Sequence, residues 1–146
     1  DVERSRGLGD VYKRQIVPLP FVHMGSPIFL QGKSMPGPTW DEVILIHSLA
    51  RIFFFNSIEN IQASWVKLGH DGVSKLLNAG VNDLGGTLIN ENISRASGAD
   101  HGQHTTDLQF IELIEKNNKV PFLRNTLYTE KKNLSEDILS KDVIKL

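Results

Sequence analysis

Cysteine is absent from this 146-residue sequence, so the chain can form no disulfide and can offer no thiolate to zinc or to an iron–sulfur cluster. An excess of positive charge is also missing, because 16 basic and 17 acidic residues give a net charge of −1, and we expect no nucleic-acid partner. No apolar run approaches the roughly 20 residues of a membrane-spanning helix. The N-terminus lacks the apolar stretch of a signal peptide. We therefore expect a cytoplasmic protein without a membrane partner.

Three regions differ in composition along the chain. Residues 1–15 are rich in charge and contain two glycines, so we interpret them as an unmatched leader, disordered or artefactual. The glycines oppose the alternative of a short amphipathic helix. Residues 16–128 hold the periodic apolar segments and fit one globular domain, in a chain with 40% hydrophobic and 23% charged residues. Residues 129–146 form a polar tail, in which a short helix is the alternative to a solvated segment.

Strand-like and helix-like patterns alternate within the central region. Such alternation with short connections predicts a parallel sheet with right-handed crossovers. A complete (β/α)₈ barrel needs roughly 250 residues, so the expected fold class is α/β, a partial barrel of the TIM type. The predicted strands are residues 16–22, 60–66 and 81–84, and the predicted helices are residues 40–55, 70–79 and 91–98.

Local signals support several of these boundaries. Thr39 is followed three residues later by Glu42, which predicts a capping box at the start of a helix. Thr106 and Gln109 predict a second box and a further helix, after which residues 120–127 are expected to be extended. Two prolines within residues 16–22 weaken the first strand, because proline cannot donate to a ladder.

Polar side chains near the strand ends are the candidates for chemistry, because function collects where parallel strands end. Gln62 and Ser64 alternate along one predicted strand and so share a face, with Ala63 and Trp65 on the other. Polar groups on an inner face need hydrogen bonds, either to each other or to a ligand. Asp83 likewise needs a donor, which a substrate hydroxyl or amine would provide; a turn or cap role is the alternative.

Other polar residues allow both functional and structural interpretations. Gly85-Gly86-Thr87 would let a phosphate approach the backbone, yet a glycine pair is also common in turns. Glu91 and Arg95 are spaced as a surface ion pair. His101 lies in a glycine-containing loop without the partners of a metal site, so we expect no metal site here. His47 lies in an apolar helix and is interpreted as a core histidine.

Three longer strings carry a family resemblance. VPLPFVHM at residues 17–24, NIQASWVKLG at residues 60–69 and GVNDLGGTLINENISRASGADHGQ at residues 80–103 occur in this order. Over residues 16–128 the chain thereby resembles the C-terminal region of FO synthase, more narrowly its tyrosine-transferring subunit or half, a radical S-adenosylmethionine (SAM) enzyme. Menaquinone-pathway radical SAM enzymes share the general layout. The Trp-Val-Lys-Leu-Gly and Ser-Arg-Ala-Ser-Gly stretches favour the deazaflavin branch.

The resemblance implies the last three β/α units of a radical SAM barrel whose first half holds SAM and a 4Fe-4S cluster. In that family a 5′-deoxyadenosyl radical oxidises L-tyrosine, and a hydroxybenzyl group passes to 5-amino-6-(D-ribitylamino)uracil. A second radical SAM subunit or domain then closes the deazaflavin ring. This chain lacks the family's CxxxCxxC cluster motif. We therefore expect it to be inactive alone and to need the missing N-terminal barrel half as a partner.

The resemblance also indicates candidate binding residues. In related barrels the sixth strand passes the adenine of SAM, which would put Leu19, Pro20 and Phe21 beside that ring. The seventh and eighth strand ends would shape the substrate cavity. The substrate-side candidates are Gln62, Ser64, Lys67, Asp83 and Glu91, together with His23, Arg95 and His101.

Three alternatives remain open at this point. The parent protein is a menaquinone-pathway radical SAM relative, or the chain is a stand-alone binding module without a cluster, or it is a phosphate-binding barrel enzyme that uses Gly85-Gly86. The last two require the chain to fold alone. Three β/α units would leave two open parallel edges, which favour aggregation, so we expect poor solubility of the isolated chain.

Overall fold

The computed structural model describes residues 15–86 and 105–135. The predicted leader up to residue 14, the predicted helix at residues 91–98 and the tail beyond residue 135 lie outside these ranges. Among the described helices, none combines the length and the apolar character that crossing a bilayer requires. In chain order the elements are β1 (Gln15–Ile16), α1 (Pro27–Leu30), α2 (Trp40–Phe53), β2 (Asn60–Ile61), α3 (Trp65–Leu77), α4 (Asp107–Lys116), β3 (Phe122–Arg124) and β4 (Lys131–Asn133).

Three parallel segments lie side by side in chain order. β1 pairs with β2 in parallel, with Ile16 opposite Ile61, and Gln62 forms a parallel bridge to Asp83 in segment 81–84. α2 connects the first two segments and α3 connects the second to the third. The predicted strand–helix alternation with parallel pairing is confirmed for these segments. The partial barrel is a larger claim and stays a prediction.

The strands are shorter than predicted. The first was expected over residues 16–22, but it ends at Ile16, and the chain then runs without regular structure through Pro18 and Pro20. Proline has no N–H to give to a ladder, which accounts for the early end. The second was expected over residues 60–66, but Ser64 is the N-cap of α3, so Trp65 belongs to a helix.

The predicted helix starts are confirmed where a cap defines them. Thr39 accepts from the backbone of Glu42 and that carboxylate accepts in return, so α2 begins with a complete capping box. Thr106 and Gln109 form the same box at α4. The helix predicted at residues 70–79 is the second part of α3, which begins earlier and is kinked at Gly69 with φ 66°.

The core lies between the parallel segments and the helices α2 and α3. Ile61 from β2, Val73 and Leu76 from α3, and Val43 and Ala50 from α2 are all buried there. Burial of each valine, leucine or isoleucine side chain contributes roughly 1.5–3 kcal/mol, which makes this layer the main source of stability.

The chain after α4 forms an antiparallel hairpin. β3 pairs with β4, with Leu123 opposite Lys132, and Tyr128 takes a positive φ of 59° in the connecting turn. Residues 120–127 were predicted to be extended, and β3 confirms this for residues 122–124. The polar strand β4 was not predicted. The hairpin matters for function because it carries Arg124 and Tyr128 to the end of segment 81–84.

Candidate ligand site beside the parallel segments

The two faces of the parallel segments differ in polarity. Ile61 and Ala63 have no exposed surface and face the helices. Gln62 and Asp83 are bridge partners, so their side chains stand next to each other on the opposite face. The structure therefore brings two of the predicted site residues together, on the face that the helices do not cover.

Asp83 is the most highly coordinated side chain of this face. It is 7% exposed, and its Oδ1 accepts from the Gly85 backbone N–H at 2.7 Å and from Arg124 Nη2 at 3.0 Å. Its Oδ2 accepts from Arg124 Nε at 2.6 Å and from the Tyr128 hydroxyl. A carboxylate has about four acceptor positions, and these four donors fill them. The donor that the sequence required for Asp83 is thus supplied by the chain itself.

Arg124 and Tyr128 reinforce each other around this carboxylate. The Arg124 guanidinium lies 4.1 Å from the centre of the Tyr128 ring. Burial raises the pKa of Tyr128, and the hydrogen bond and charge of Asp83 raise it further, so the phenol keeps its proton. Burial alone would lower the pKa of Arg124, but the hydrogen bond and charge of Asp83 outweigh it and the net shift is upward.

Tyr128 also connects segments that are not neighbours in the sheet. Its hydroxyl contacts Gln15 of β1 as well as Asp83, although β2 lies between those two segments. A hydroxyl has one proton, and a carboxylate is a stronger acceptor than an amide oxygen, so Tyr128 donates to Asp83 while its oxygen stays in contact with Gln15. The hairpin therefore spans the polar face from the first parallel segment to the third.

A cavity of about 1030 Å³ opens beside segment 81–84 and the hairpin. Its wall includes Asp83 and Arg124, together with apolar side chains of α4 such as Phe110 and Ile111. A concave surface that joins apolar area to a few oriented polar groups is typical of a ligand site.

The Gly85-Gly86 turn is shaped by its neighbours. Gly85 has a φ of 74°, and a Cβ there would lie 2.4 Å from Gln62 Nε2. The Gly85 N–H donates to Asp83, and the Gly86 carbonyl accepts from Trp65 Nε1 at 3.1 Å. The Gly85 N–H, one of the groups that a phosphate cradle would use, is thus engaged within the protein. Thr87, the third residue of that hypothesis, lies outside the described residues.

The remaining candidates on the second strand lie where α3 begins. Ser64 is half-buried, and its side chain makes no capping hydrogen bond. Lys67 is half-buried in the first turn of the helix. Their role as substrate contacts stays a prediction.

The candidates near the first strand lie in a separate loop. His23 Nδ1 accepts from the Gly37 backbone N–H at 2.8 Å, and its ring packs edge-on against Phe29. These contacts organise the loop, and none of them joins His23 to Asp83. Leu19 and Phe21 are 62% and 40% exposed, with half-buried Pro20 between them. Glu91, Arg95 and His101 lie outside the described residues.

Sequence reasoning missed the two residues that hold Asp83. Arg124 and Tyr128 are 41 and 45 residues away from it in sequence. The only available signal was the requirement itself: a buried carboxylate needs a cationic partner, and arginine has the planar geometry to bind it twice. The interpretation of His47 as a core histidine is confirmed, since it is 1% exposed.

Comparison with known proteins shows the family. Residues 15–138 match the family described as the CofH/MqnC C-terminal region. The chain belongs to this family. The resemblance that the three strings carry is thereby confirmed. No solved structure matches the chain.

Several curated proteins are similar over most of the chain. The 5-amino-6-(D-ribitylamino)uracil–L-tyrosine 4-hydroxyphenyl transferase of Methanothermobacter thermautotrophicus is 44% identical over 116 residues, which are 80% of this chain and 32% of that protein. The protein of the same name from Methanopyrus kandleri is 46% identical over 114 residues. FO synthase of Mycobacterium leprae is 45% identical over 78% of this chain and 13% of its own length. The chain thus spans about a third of the transferases and less of the synthase.

Proposed function

We propose that the complete protein containing this chain is a 5-amino-6-(D-ribitylamino)uracil–L-tyrosine 4-hydroxyphenyl transferase that acts in deazaflavin cofactor synthesis. The observation that carries the proposal is 44% identity to a transferase of that name over 80% of the chain. The reaction would be a radical SAM transfer of the tyrosine-derived hydroxybenzyl group. L-Tyrosine and the ribitylaminouracil would be its substrates, and a second radical SAM subunit or domain would complete the deazaflavin ring. The expected location is cytoplasmic.

The contribution of this chain would be part of the substrate wall. Gln62 and Asp83 stand together on the polar face, beside a cavity of about 1030 Å³ that Asp83 lines. The parallel segments are packed against helices on one face and carry these polar side chains on the other, near the carboxyl ends where barrel enzymes place their ligand sites. Ser64 and Lys67, at the start of α3, would approach the substrate from the end of the second strand.

The two cofactors fit this chain differently. A 4Fe-4S cluster does not fit, because its thiolate ligands would have to come from cysteine and the chain has none. The rest of the complete protein would have to hold it. The adenine of SAM is chemically compatible with Leu19 and Phe21, because their exposed apolar surfaces can cover an aromatic ring.

Product analysis of the complete protein tests this proposal. Incubation with L-tyrosine, the ribitylaminouracil, SAM and a reductant should give a hydroxybenzyl adduct of the uracil, detected by mass spectrometry. Turnover of SAM without that adduct would contradict the proposed function. The 146-residue chain alone is the matched control, and it should release no 5′-deoxyadenosine after anaerobic iron–sulfur reconstitution.

A second candidate has one observation in its favour. The matching family is described by both CofH and MqnC, so a menaquinone-pathway relative with another substrate belongs to the same family. The same incubation separates the two, because that relative would leave the ribitylaminouracil unmodified.

A further inference from the structure

The cavity beside segment 81–84 has an excess of cationic side chains. Among the described residues, its wall contains the cations Arg51, Lys119, Arg124 and Lys131 and the acids Asp83 and Asp107. The chain as a whole has a net charge of −1, so this positive wall is a local feature. Such a wall favours a ligand that carries negative charge.

Arg124 is held in place on two sides. Its Nε and Nη2 bind the two oxygens of Asp83 in the side-on arrangement, and the Tyr128 ring lies against its flat face. Within this ion pair the side chain of Asp83 is 5% exposed and that of Arg124 is 25% exposed. Both residues line the cavity, the guanidinium is the more exposed group of the pair, and its orientation is fixed before any ligand arrives.

The guanidinium keeps hydrogen-bonding capacity after these contacts. Of its five N–H donors, two bind Asp83 and one reaches the carbonyl oxygen of Asn125 at 3.3 Å. The other two belong to Nη1 and Nη2, and among the described residues they have no acceptor. Two such N–H groups at the end of a guanidinium form a fork that matches the two oxygens of a carboxylate.

We propose that this cavity binds the carboxylate of a ligand through the unengaged N–H pair of Arg124, with Asp83 and Tyr128 as the positioning residues. Lys119 and Lys131 add positive charge to the same cavity. The identity of the ligand rests on the proposed function, in which L-tyrosine is the substrate that carries a carboxylate. Asp83 then serves the substrate indirectly, because its own acceptor positions are filled.

Binding to the complete protein, in the absence of SAM and reductant, tests the proposal without any need for turnover. The ¹⁵N–¹H signal of Arg124 Nε is followed during titration with L-tyrosine, with tyramine, which lacks the carboxylate, and with inorganic phosphate. L-Tyrosine should move that signal and bind about tenfold to a hundredfold more tightly than tyramine, as expected for a charge-assisted hydrogen-bonded pair. Equal affinity for L-tyrosine and tyramine would overturn the proposal, and so would phosphate binding as tightly as L-tyrosine.

Variants test whether the preference for L-tyrosine over tyramine depends on the unengaged N–H pair of Arg124. Arg124→Lys keeps the charge beside Asp83 but removes the fork, so it should abolish the preference for L-tyrosine over tyramine. Lys116→Gln, an exposed change in the last turn of α4, is the control and should keep the preference. An Arg124→Lys chain that remains folded and still prefers L-tyrosine would overturn the assignment.

The complete protein separates failure of this inference from failure of the proposed function. If it makes the hydroxybenzyl adduct, Arg124→Lys should raise KM for L-tyrosine at least tenfold and leave KM for the ribitylaminouracil unchanged. An unchanged KM for L-tyrosine refutes the inference alone. If no adduct forms but the complete protein still binds L-tyrosine through Arg124, the carboxylate site stands and the proposed function fails.

Discussion

Two arginines hold the opposite faces of segment 81–84, and they do so with different partners. Arg51 of α2 donates to the carbonyl oxygens of Gly80 and Glu59 at 2.7 and 2.8 Å and to the Asn82 side-chain oxygen at 2.6 Å. Arg124 of β3 instead binds the Asp83 carboxylate twice. Because adjacent residues of an extended segment point to opposite faces, Asn82 and Asp83 direct the two arginines to opposite sides.

The comparison shows that the two arginines are held by partners of different charge. Arg51 has neutral acceptors for each of its three hydrogen-bonding nitrogens, and burial lowers its pKa. Its hydrogen bonds connect α2 to the residues just before β2 and segment 81–84. Arg124 is neutralised by one carboxylate and lies against the Tyr128 ring; like Arg51, it keeps two N–H groups that have no acceptor among the described residues. The two arginines therefore differ in the kind of partner that holds them: neutral oxygens on the helix-covered face, and a carboxylate together with an aromatic ring on the face with the hairpin, called the open face below.

The largest effect is expected from breaking the ion pair on the open face. Arg124→Met should reduce the free energy of unfolding by about 3 kcal/mol, because it leaves the buried Asp83 charge without its cation. Urea unfolding of the chain, followed by tryptophan fluorescence, measures this. Lys131→Met, in the same hairpin and exposed, is the control and should cost less than about 0.5 kcal/mol. Equal costs for the two variants would contradict the comparison.

A double-mutant cycle sharpens that result. In an Asp83→Asn background no carboxylate is left unpaired, so Arg124→Met should cost at least about 1 kcal/mol less than in the original chain. Additive costs would mean that Arg124 stabilises the hairpin by packing alone.

On the helix-covered face, Arg51→Met should cost about 2 kcal/mol, less than Arg124→Met. It removes three hydrogen bonds but leaves only neutral oxygens, and water can reach some of them because Glu59 and Asn82 are exposed. The same Asp83→Asn background should leave this cost unchanged within about 0.5 kcal/mol. Strong coupling between Arg51 and Asp83 in urea unfolding would show that the two faces do not act separately.

Local patterns predicted the helix starts, and long-range contacts explain what was missed. The capping box at Thr39 and Glu42 needs only four residues, so the sequence alone contains it. The apolar stretch of residues 60–66 suits either a strand or the first turn of a helix, and the start of α3 at Trp65 decided between them.

The prediction of the candidate site from sequence was limited in the same way, because part of the site depends on long-range contacts. Gln62 and Asp83 were recognisable because strand alternation places them near the carboxyl ends of parallel segments. The hairpin that completes the site was not, because β4 reads Lys-Lys-Asn and has no apolar period. Pairing between Asp83 and a residue 41 positions later depends on how α4 packs, which no local pattern encodes.

A smaller effect is expected at the Gly85-Gly86 turn, which follows segment 81–84 and contacts Gln62. Gly85→Ala should cost about 1–2 kcal/mol, because alanine is strained at a φ of 74° and its Cβ would displace Gln62. Gly86→Ala is a matched control one residue away, where a Cβ meets nothing within 4 Å. It should change the free energy of unfolding by less than about 0.5 kcal/mol. If both variants behave alike, the turn does not hold Gln62 in the position described.

The smallest effect concerns the helix-covered face and appears only on acidification. His47, one turn before Arg51 in α2, is 1% exposed; its Nδ1 contacts the Val43 carbonyl oxygen at 2.7 Å, and its Nε2 has no partner among the described residues. Burial lowers its pKa below the ordinary 6.5, and the hydrogen bond to Val43 only partly opposes this shift. The unfolded chain therefore takes up the proton first, and the stability present above pH 6.5 is lost as the pH falls below it.

Urea unfolding between pH 8 and pH 5 should show a shallower pH dependence for His47→Leu than for the original chain, whereas Arg51→Met should keep the original slope. An identical slope for His47→Leu would mean that the imidazole is protonated as easily in the folded chain as in the unfolded one.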